Sequence, residues 1–195
     1  MKKTVSIVLC ALLACSIFAA PVQRTDSAKD LNGFWNENDI QIVCDSAVEK
    51  IIASPRIARF EQQNERIPVV VVGRIINESN EYIDTSIIEK KLQNAIINSG
   101  VMDFVAEASE RDILREEIRD QSDHASADTA KDMDEEDAAD FMLNGNVKSI
   151  IEYGKKQSQR TYHVTIQMVD IQTHRVIFST EETITKLFKT PKNKI

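Results

Sequence analysis

Glycine, proline, cysteine and histidine are all scarce in this chain of 195 residues, which holds 5 glycines, 4 prolines, 3 cysteines and 3 histidines. The glycines are scattered singly, which excludes a glycine-rich phosphate-binding loop. His124, His163 and His174 have no partner at the spacing that a shared metal ion requires. No Gly-x-Ser-x-Gly, Ser-x-x-Lys or His-Glu-x-x-His motif is present. The sequence therefore predicts no cofactor, no metal site and no catalytic residue, and it favours a binding protein over an enzyme.

Long apolar runs are also missing. The uncharged apolar stretch at residues 4–14 is shorter than the roughly 20 residues of a membrane-spanning helix. Lys2 and Lys3 precede it, and a positive segment followed by a short apolar one is typical of a secretory signal peptide. We therefore predict a signal peptide over residues 1–14 and export of the chain.

The end of this stretch, Leu-Leu-Ala-Cys at residues 12–15, resembles a lipobox. The resemblance implies that Cys15 is acylated and becomes the first residue of the mature chain, with residues 15–35 as a lipid-anchored flexible tether. Ser16 rather than aspartate follows, which in the usual enteric sorting pattern implies the outer membrane and a domain facing the periplasm. Two alternatives remain, namely cleavage after Ala19, or Cys15 as an ordinary small residue of the apolar stretch.

Acidic residues outnumber lysines and arginines by 31 to 24, which gives a formal net charge of -7. This charge disfavours nonspecific binding to nucleic acid. An acidic run at residues 132–137 lacks the glycine of a calcium-binding EF-hand loop, so a short acidic helix over residues 132–140 is predicted instead. The basic cluster near the C-terminus is interpreted as a solvated tail that ends in residues 190–195, and it comprises Lys186, Lys189, Lys192 and Lys194.

Apolar residues at helical spacing predict three helices. The first begins near Asn38, ends at the Ser54-Pro55 pair and buries Cys44 in its apolar stripe as a core residue. The second begins at a capping box of Ser86 and Glu89. The third is highly charged and spans about 109–120.

Strand patterns fill the rest of the chain. The β-branched run at residues 67–73 is typical of a strand buried on both faces, and residues 101–106 predict a short strand. Residues 141–184 form three segments of alternating polarity that are separated by two turns, which predicts a three-stranded antiparallel meander. The expected fold is a single α/β (α+β) domain over residues 36–189, with a mixed, mostly antiparallel sheet of about four to five strands flanked by helices.

Several blocks of the sequence, in their order and spacing, resemble the LpoB family of penicillin-binding-protein activators. These blocks are residues 54–57, 67–73, 81–85, 141–145, 162–171 and 186–189. The resemblance covers roughly residues 34–189. It implies a fold like that of the N-terminal domain of TolB and the core of the curli-export lipoprotein CsgG.

The resemblance also implies a role. The domain would be a monomeric, non-catalytic envelope lipoprotein that docks on a class A (bifunctional) penicillin-binding protein and stimulates its glycosyltransferase, and through it transpeptidation. It assigns no partner-binding residues. The alternative is a CsgG/TolB-like envelope lipoprotein that acts in secretion or assembly as an oligomer. An enzyme that acts on cell-wall material is the weakest interpretation, because the sequence displays no catalytic constellation.

The tether departs from the family pattern, in which a long proline-rich linker carries the domain across the periplasm. Here about 19 residues separate Cys15 from Trp35, and Pro21 is the only proline among them. Fully extended, they reach at most about 65–70 Å. Three explanations follow: the partner extends outward, the anchor is in the inner membrane, or the domain has another function.

Overall fold

The computed structural model describes residues 33–126, 131 and 136–191. The predicted signal peptide, Cys15, the tether before residue 33 and the C-terminal lysines beyond residue 191 lie outside this described part. In chain order the elements are α1 (Glu37–Ile52), α2 (Pro55–Asn64), β1 (Val69–Glu78), α3 (Thr85–Ser99), β2 (Asp103–Phe104), α4 (Ala108–His124), β3 (Phe141–Glu152), β4 (Gln157–Asp170) and β5 (Val176–Lys189).

The strands form one five-stranded mixed sheet in the order β2-β1-β3-β4-β5. β1 pairs in parallel with both β2 and β3, and the three C-terminal strands form the predicted antiparallel meander. The parallel pairing of β1 with β3 requires a crossover, which residues 79–140 supply. The fold is thus the expected single α+β domain, with a mixed sheet and flanking helices.

The core lies between one face of the sheet and the helices α1, α2 and α3. β4 shows the pattern most clearly, because its residues alternate between buried and half-buried positions from Ser158 to Met168. Cys44 is buried in this core, as predicted. The core residues of the sheet are Val70, Ile75, Phe141, Leu143, Val147, Tyr162, Val164, Ile166 and Met168.

The opposite face of the sheet carries none of these three helices, and we call it the helix-free face. Ile76, Met142 and Ile150 are exposed there. The prediction that residues 67–73 are buried on both faces is therefore wrong. Within the run, Val70 is fully buried, whereas Val69, Val71 and Val72 are half-buried.

The Ser54-Pro55 pair ends α1 as expected, and it also starts a helix that the sequence did not predict. The Ser54 hydroxyl accepts the Arg56 amide at 3.4 Å, and Pro55 occupies the first helical position, where its missing N–H costs nothing. Ile57 and Phe60 attach this helix to the core, and Phe60 contacts the ring of Phe141 edge to face.

The start of α3 differs from the predicted capping box. Asp84, not Ser86, is the N-cap residue, and it accepts the Ser86 amide at 3.1 Å. Glu89 instead accepts the backbone N–H of Ile75 at 2.7 Å, beside an irregularity in the pairing of β1. Gly100 ends the helix in the left-handed region at φ 69°, which favours glycine.

The predicted acidic helix at residues 132–140 is wrong for its described part, since residues 136–140 are not helical. Asp140 is held instead by Arg66, which makes two bonds of 2.7 Å to its carboxylate, and by the Val69 amide. The charged helix α4 forms as predicted and extends to His124. No helix within the described residues is both long enough and apolar enough to cross a membrane.

Candidate functional site

The polar chemistry of the domain is concentrated where the chain enters it. Residues 33–36, which we call the strap, run along one end of the sheet and lead into α1. Asn36 caps that helix: its side chain accepts the Asn38 amide, and its own N–H donates to Asp39 at 2.8 Å. The strap therefore has a fixed conformation before the helix begins.

A set of buried polar groups lies beneath the strap, and we call it the buried charge cluster (Asp39, Glu81, Arg160, Tyr162 and Lys186). It contains two ion pairs. Lys186 Nζ lies 2.5 Å from Asp39 Oδ2, with both side chains 4% exposed. Arg160 Nε lies 3.2 Å from Glu81 Oε1, and the Tyr162 hydroxyl donates to the same oxygen at 2.6 Å. Charges buried this deeply are tolerated only when they are paired and hydrogen-bonded.

The cluster holds the strap through its backbone. Arg160 Nη1 donates to the carbonyl of Gly33 at 3.1 Å, and Lys186 Nζ donates to the carbonyl of Phe34 at 2.8 Å. Glu81 Oε2 accepts the N–H of Trp35 at 3.2 Å. Three consecutive residues of the strap are thus each bound by a different charged side chain.

Aromatic rings enclose the same groups. The Arg160 guanidinium lies over the ring of Phe34, 4.4 Å from its centroid, and 5.2 Å from that of Phe188. Trp35 packs edge to face on Tyr162 with the ring centroids 5.1 Å apart. The cation thus contacts two aromatic rings, and the half-buried Trp35 and the fully buried Tyr162 pack beside it, which reduces its contact with water and strengthens the ion pairs.

Burial has a strong effect on two acidic protons. It raises the pKa of Tyr162 far above its ordinary value, and the hydrogen bond to Glu81 adds to this effect. Tyr162 therefore stays neutral and acts as a donor. Burial also raises the pKa of the Cys44 thiol to about 12, so that this cysteine is not a nucleophile at neutral pH.

The loop between β1 and α3, residues 79–84, adjoins the strap through Glu81. The Asn77 side chain donates to the carbonyl of Glu81 at 2.8 Å and accepts the Ser79 amide at 3.0 Å. The Asn80 amide donates to the hydroxyl of Ser149 on β3 at 3.2 Å. The loop is therefore an ordered part of the domain, although it lies at the surface.

The helix-free face is largely polar. A shallow depression of about 340 Å³ lies on it, across β1, β3 and β4. It has no cluster of acidic groups or nucleophile among its lining residues, which are Arg74, Ile76, Met142, Asn144, Gly145, Asn146, Thr165 and Gln167.

The predicted site residues have different outcomes. Cys15 lies outside the described residues, so its acylation stays a prediction. His124, His163 and His174 lie apart on α4, β4 and the turn before β5, and no group of His, Cys, Asp or Glu in the described part of the chain has the arrangement of a metal site. The interpretation of Lys186 as part of a solvated tail is wrong, because this lysine is buried in an ion pair inside β5.

The sequence contained a signal for the buried charge cluster that the pattern analysis missed. Arg160 and Tyr162 occupy the same face of β4 as Val164 and Ile166, and a charged residue at such an inward position requires a buried partner. Lys186 shares an inward position opposite Arg160 in the pairing of β4 with β5. The partners, Asp39 and Glu81, lie far away in sequence, and only the fold identifies them.

Several solved structures are similar to this chain. Among solved structures, the chain is similar to the LpoB C-terminal domain from Escherichia coli, with a TM-score of 0.38 and 16% identity over 60% of this chain and 82% of that chain. It is similar to the NMR structure of Escherichia coli LpoB, with a TM-score of 0.41 and 13% identity over 97% and 90% of the two chains. The PelC dodecamer from Paraburkholderia phytofirmans gives a TM-score of 0.35 and 19% identity over 61% and 71%.

A search of curated proteins found no significant match. A family model described as the peptidoglycan-synthase activator LpoB matches residues 39–184. This range contains α1 to β4, apart from the first two residues of α1, and most of β5. This match covers more than half of the 195 residues. The chain therefore belongs to the LpoB family of peptidoglycan-synthase activators, as the blocks in its sequence had indicated.

Proposed function

We propose that this chain is a non-catalytic envelope lipoprotein that activates a class A (bifunctional) penicillin-binding protein and so regulates peptidoglycan synthesis. The observation that carries the proposal is the family match over residues 39–184. Acylation at Cys15 would anchor the chain in the outer membrane, with the domain in the periplasm. The predicted signal peptide and lipobox support this location.

The geometry fits a protein that acts by binding. The buried charge cluster holds the strap in place and offers no open cleft to a substrate. An activator of this kind binds the active conformation of the synthase more tightly than the inactive one, and the ratio of the two affinities sets the stimulation. A tenfold activation requires a difference of about 1.4 kcal/mol between the two binding free energies.

The test is the glycosyltransferase rate of each bifunctional synthase of the source organism, measured in detergent with increasing amounts of the purified full chain. We expect a saturable rise for one synthase and none for the others. If a folded chain stimulates no synthase, the proposal is wrong. Stable rings in size analysis would then favour the alternative, a CsgG/TolB-like role in secretion or assembly.

A further inference from the structure

Tyr82 is the most exposed large apolar or aromatic side chain in the described part of the chain, with 91% of its surface open to solvent. Its two neighbours are anchored inward. Ile83 is 6% exposed and belongs to the core. The carboxylate of Glu81 is fixed by Tyr162 and by the N–H of Trp35. With both neighbours held, the backbone directs the ring of Tyr82 outward.

The backbone under this ring is ordered in advance. The Ser79 amide and the Glu81 carbonyl are hydrogen-bonded to the side chain of Asn77, and the Asn80 amide donates to the hydroxyl of Ser149 on β3. Asp84 ends the loop as the N-cap of α3. A partner that covers Tyr82 therefore does not have to order a flexible loop, and preorganisation of this kind increases affinity.

Nothing in the fold requires a tyrosine at this position, because the ring makes no contact with the core. Tyrosine is, however, among the residues that contribute most to binding energy at protein interfaces, where its ring fills an apolar pocket and its hydroxyl finds a polar partner. The ring is thus more consistent with a binding role than with a structural one.

The charges around the loop distinguish between kinds of partner. Glu78, at the end of β1, is paired with Lys148 at 3.3 Å, and Asp84 follows Tyr82 by two residues. The surroundings are therefore neutral to acidic, which disfavours an anionic lipid surface. They fit a protein surface on which lysine or arginine side chains surround an apolar pocket.

We propose that Tyr82 is the principal contact through which the domain docks on its synthase, with the ring in an apolar pocket that has a basic rim. The inference rests on the function proposed above and identifies the docking surface for it. Because Glu81, the neighbour of Tyr82 in the loop of residues 79–84, also binds the strap, the synthase would bind at the end of the domain where the chain enters.

The test measures the dissociation constant of the full chain in detergent for the synthase that it stimulates. For Tyr82→Ala we expect a dissociation constant raised about thirtyfold, the size typical of a dominant interface residue. Tyr82→Phe keeps the ring and should bind within about threefold of the native chain. The matched control is Ile113→Ala, which removes a side chain that is 68% exposed on α4 and should leave binding unchanged.

All three variants should melt within about 2 °C of the native chain, because exposed side chains contribute little to stability. Binding of Tyr82→Ala within twofold of the native chain would overturn the docking proposal and leave the activator function intact. A native chain that binds no synthase would refute both. Equal weakening by Ile113→Ala would show that the loss is not specific to Tyr82 and would also overturn the docking proposal. Loss of self-association, or of binding to phosphatidylglycerol vesicles, in Tyr82→Ala while synthase binding persists would show that the synthase is not the occupant.

Discussion

Lys186 and Asp39 show how much one buried pair contributes to this fold. Each side chain is 4% exposed, and each also bonds the strap: Lys186 through the carbonyl of Phe34, and Asp39 through the N–H of Asn36. The attraction between the two charges roughly offsets the cost of removing them from water. The strong effect therefore appears when one partner is removed and the other is left buried and unpaired.

We expect Lys186→Met to lower the free energy of unfolding by about 3–5 kcal/mol, because it leaves the carboxylate of Asp39 buried without its cation. Equilibrium unfolding in urea measures this loss. The matched control is Lys50→Met, which removes a lysine that is 47% exposed and pairs with Glu182 across α1 and β5. An exposed pair contributes at most about 1 kcal/mol. Equal losses in the two variants would contradict the assignment of Lys186 to the core.

Cys44 gives a second expectation at the same scale. Burial raises the pKa of its thiol to about 12 from an ordinary value of 9.0. The folded state therefore favours the protonated thiol. The stability that this group contributes is complete below pH 9, and it is lost as the pH rises from about 9 towards 12.

In the chain from residue 31 onward, where Cys44 is the only cysteine, a thiol reagent at pH 8 should label the protein only as fast as the domain opens. Labelling should become immediate in denaturing urea. Fast, complete labelling of the folded domain would show that Cys44 is accessible and would contradict its place in the core.

At the scale of elements, the sequence predicted well wherever polarity repeats with a regular period. The alternation in β3, β4 and β5 and the stripes of α1 and α3 gave the right elements. α2 was missed because its attachment to the core needs only Ile57 and Phe60. The acidic helix was wrongly predicted, because carboxylates stabilise the N-terminus of a helix but do not by themselves make a segment helical. In the fold, Asp140 binds Arg66 and the Val69 amide instead.

The candidate site was less predictable than the fold. The block around Glu81 and Tyr82 was noticed in the sequence, but its role could not be derived there. Glu81 meets Arg160 and Trp35 only through pairing between distant segments. The exposure of Tyr82 likewise depends on how its two neighbours are anchored, which no local pattern encodes.

Gly145 provides a test of the packing between β3 and β4. A Cβ atom added to this glycine would lie 2.2 Å from the carbonyl oxygen of Thr165, which is backbone and cannot rotate away. We expect Gly145→Ala to destabilise the domain by about 1–3 kcal/mol or more, since the two strands must separate locally. Urea unfolding measures the change. Asn146→Ala, the next position on the same strand, should cost less, and the opposite order would refute this close approach.

At the scale of the whole molecule, the strap fastens the start of α1 to the sheet and to the loop after β1. Its residues supply partners for Arg160, Lys186 and Glu81, and Asn36 caps α1. Residues 33–36 are therefore part of the packed structure, and the boundary at residue 36 stays a prediction.

We expect a chain that starts at residue 33 to be as stable as the chain that starts at residue 16. A chain that starts at residue 37 should lose several kcal/mol, because it removes the backbone groups that Arg160, Lys186 and Glu81 bond and a helix cap that contributes about 1 kcal/mol on its own. Thermal unfolding of the three chains measures the difference. Equal melting temperatures for the chains starting at 33 and 37 would show that the strap does not stabilise the domain.

The attachment of the strap also determines how the domain responds to mechanical force. Arg160 lies on β4, Lys186 on β5 and Glu81 in the loop after β1, and each bonds a different residue of the strap. A pull on the N-terminus therefore reaches three separate parts of the molecule before it reaches the first turn of α1. A domain stretched between a membrane anchor and a bound partner would thus load these three bonds before it unwinds α1.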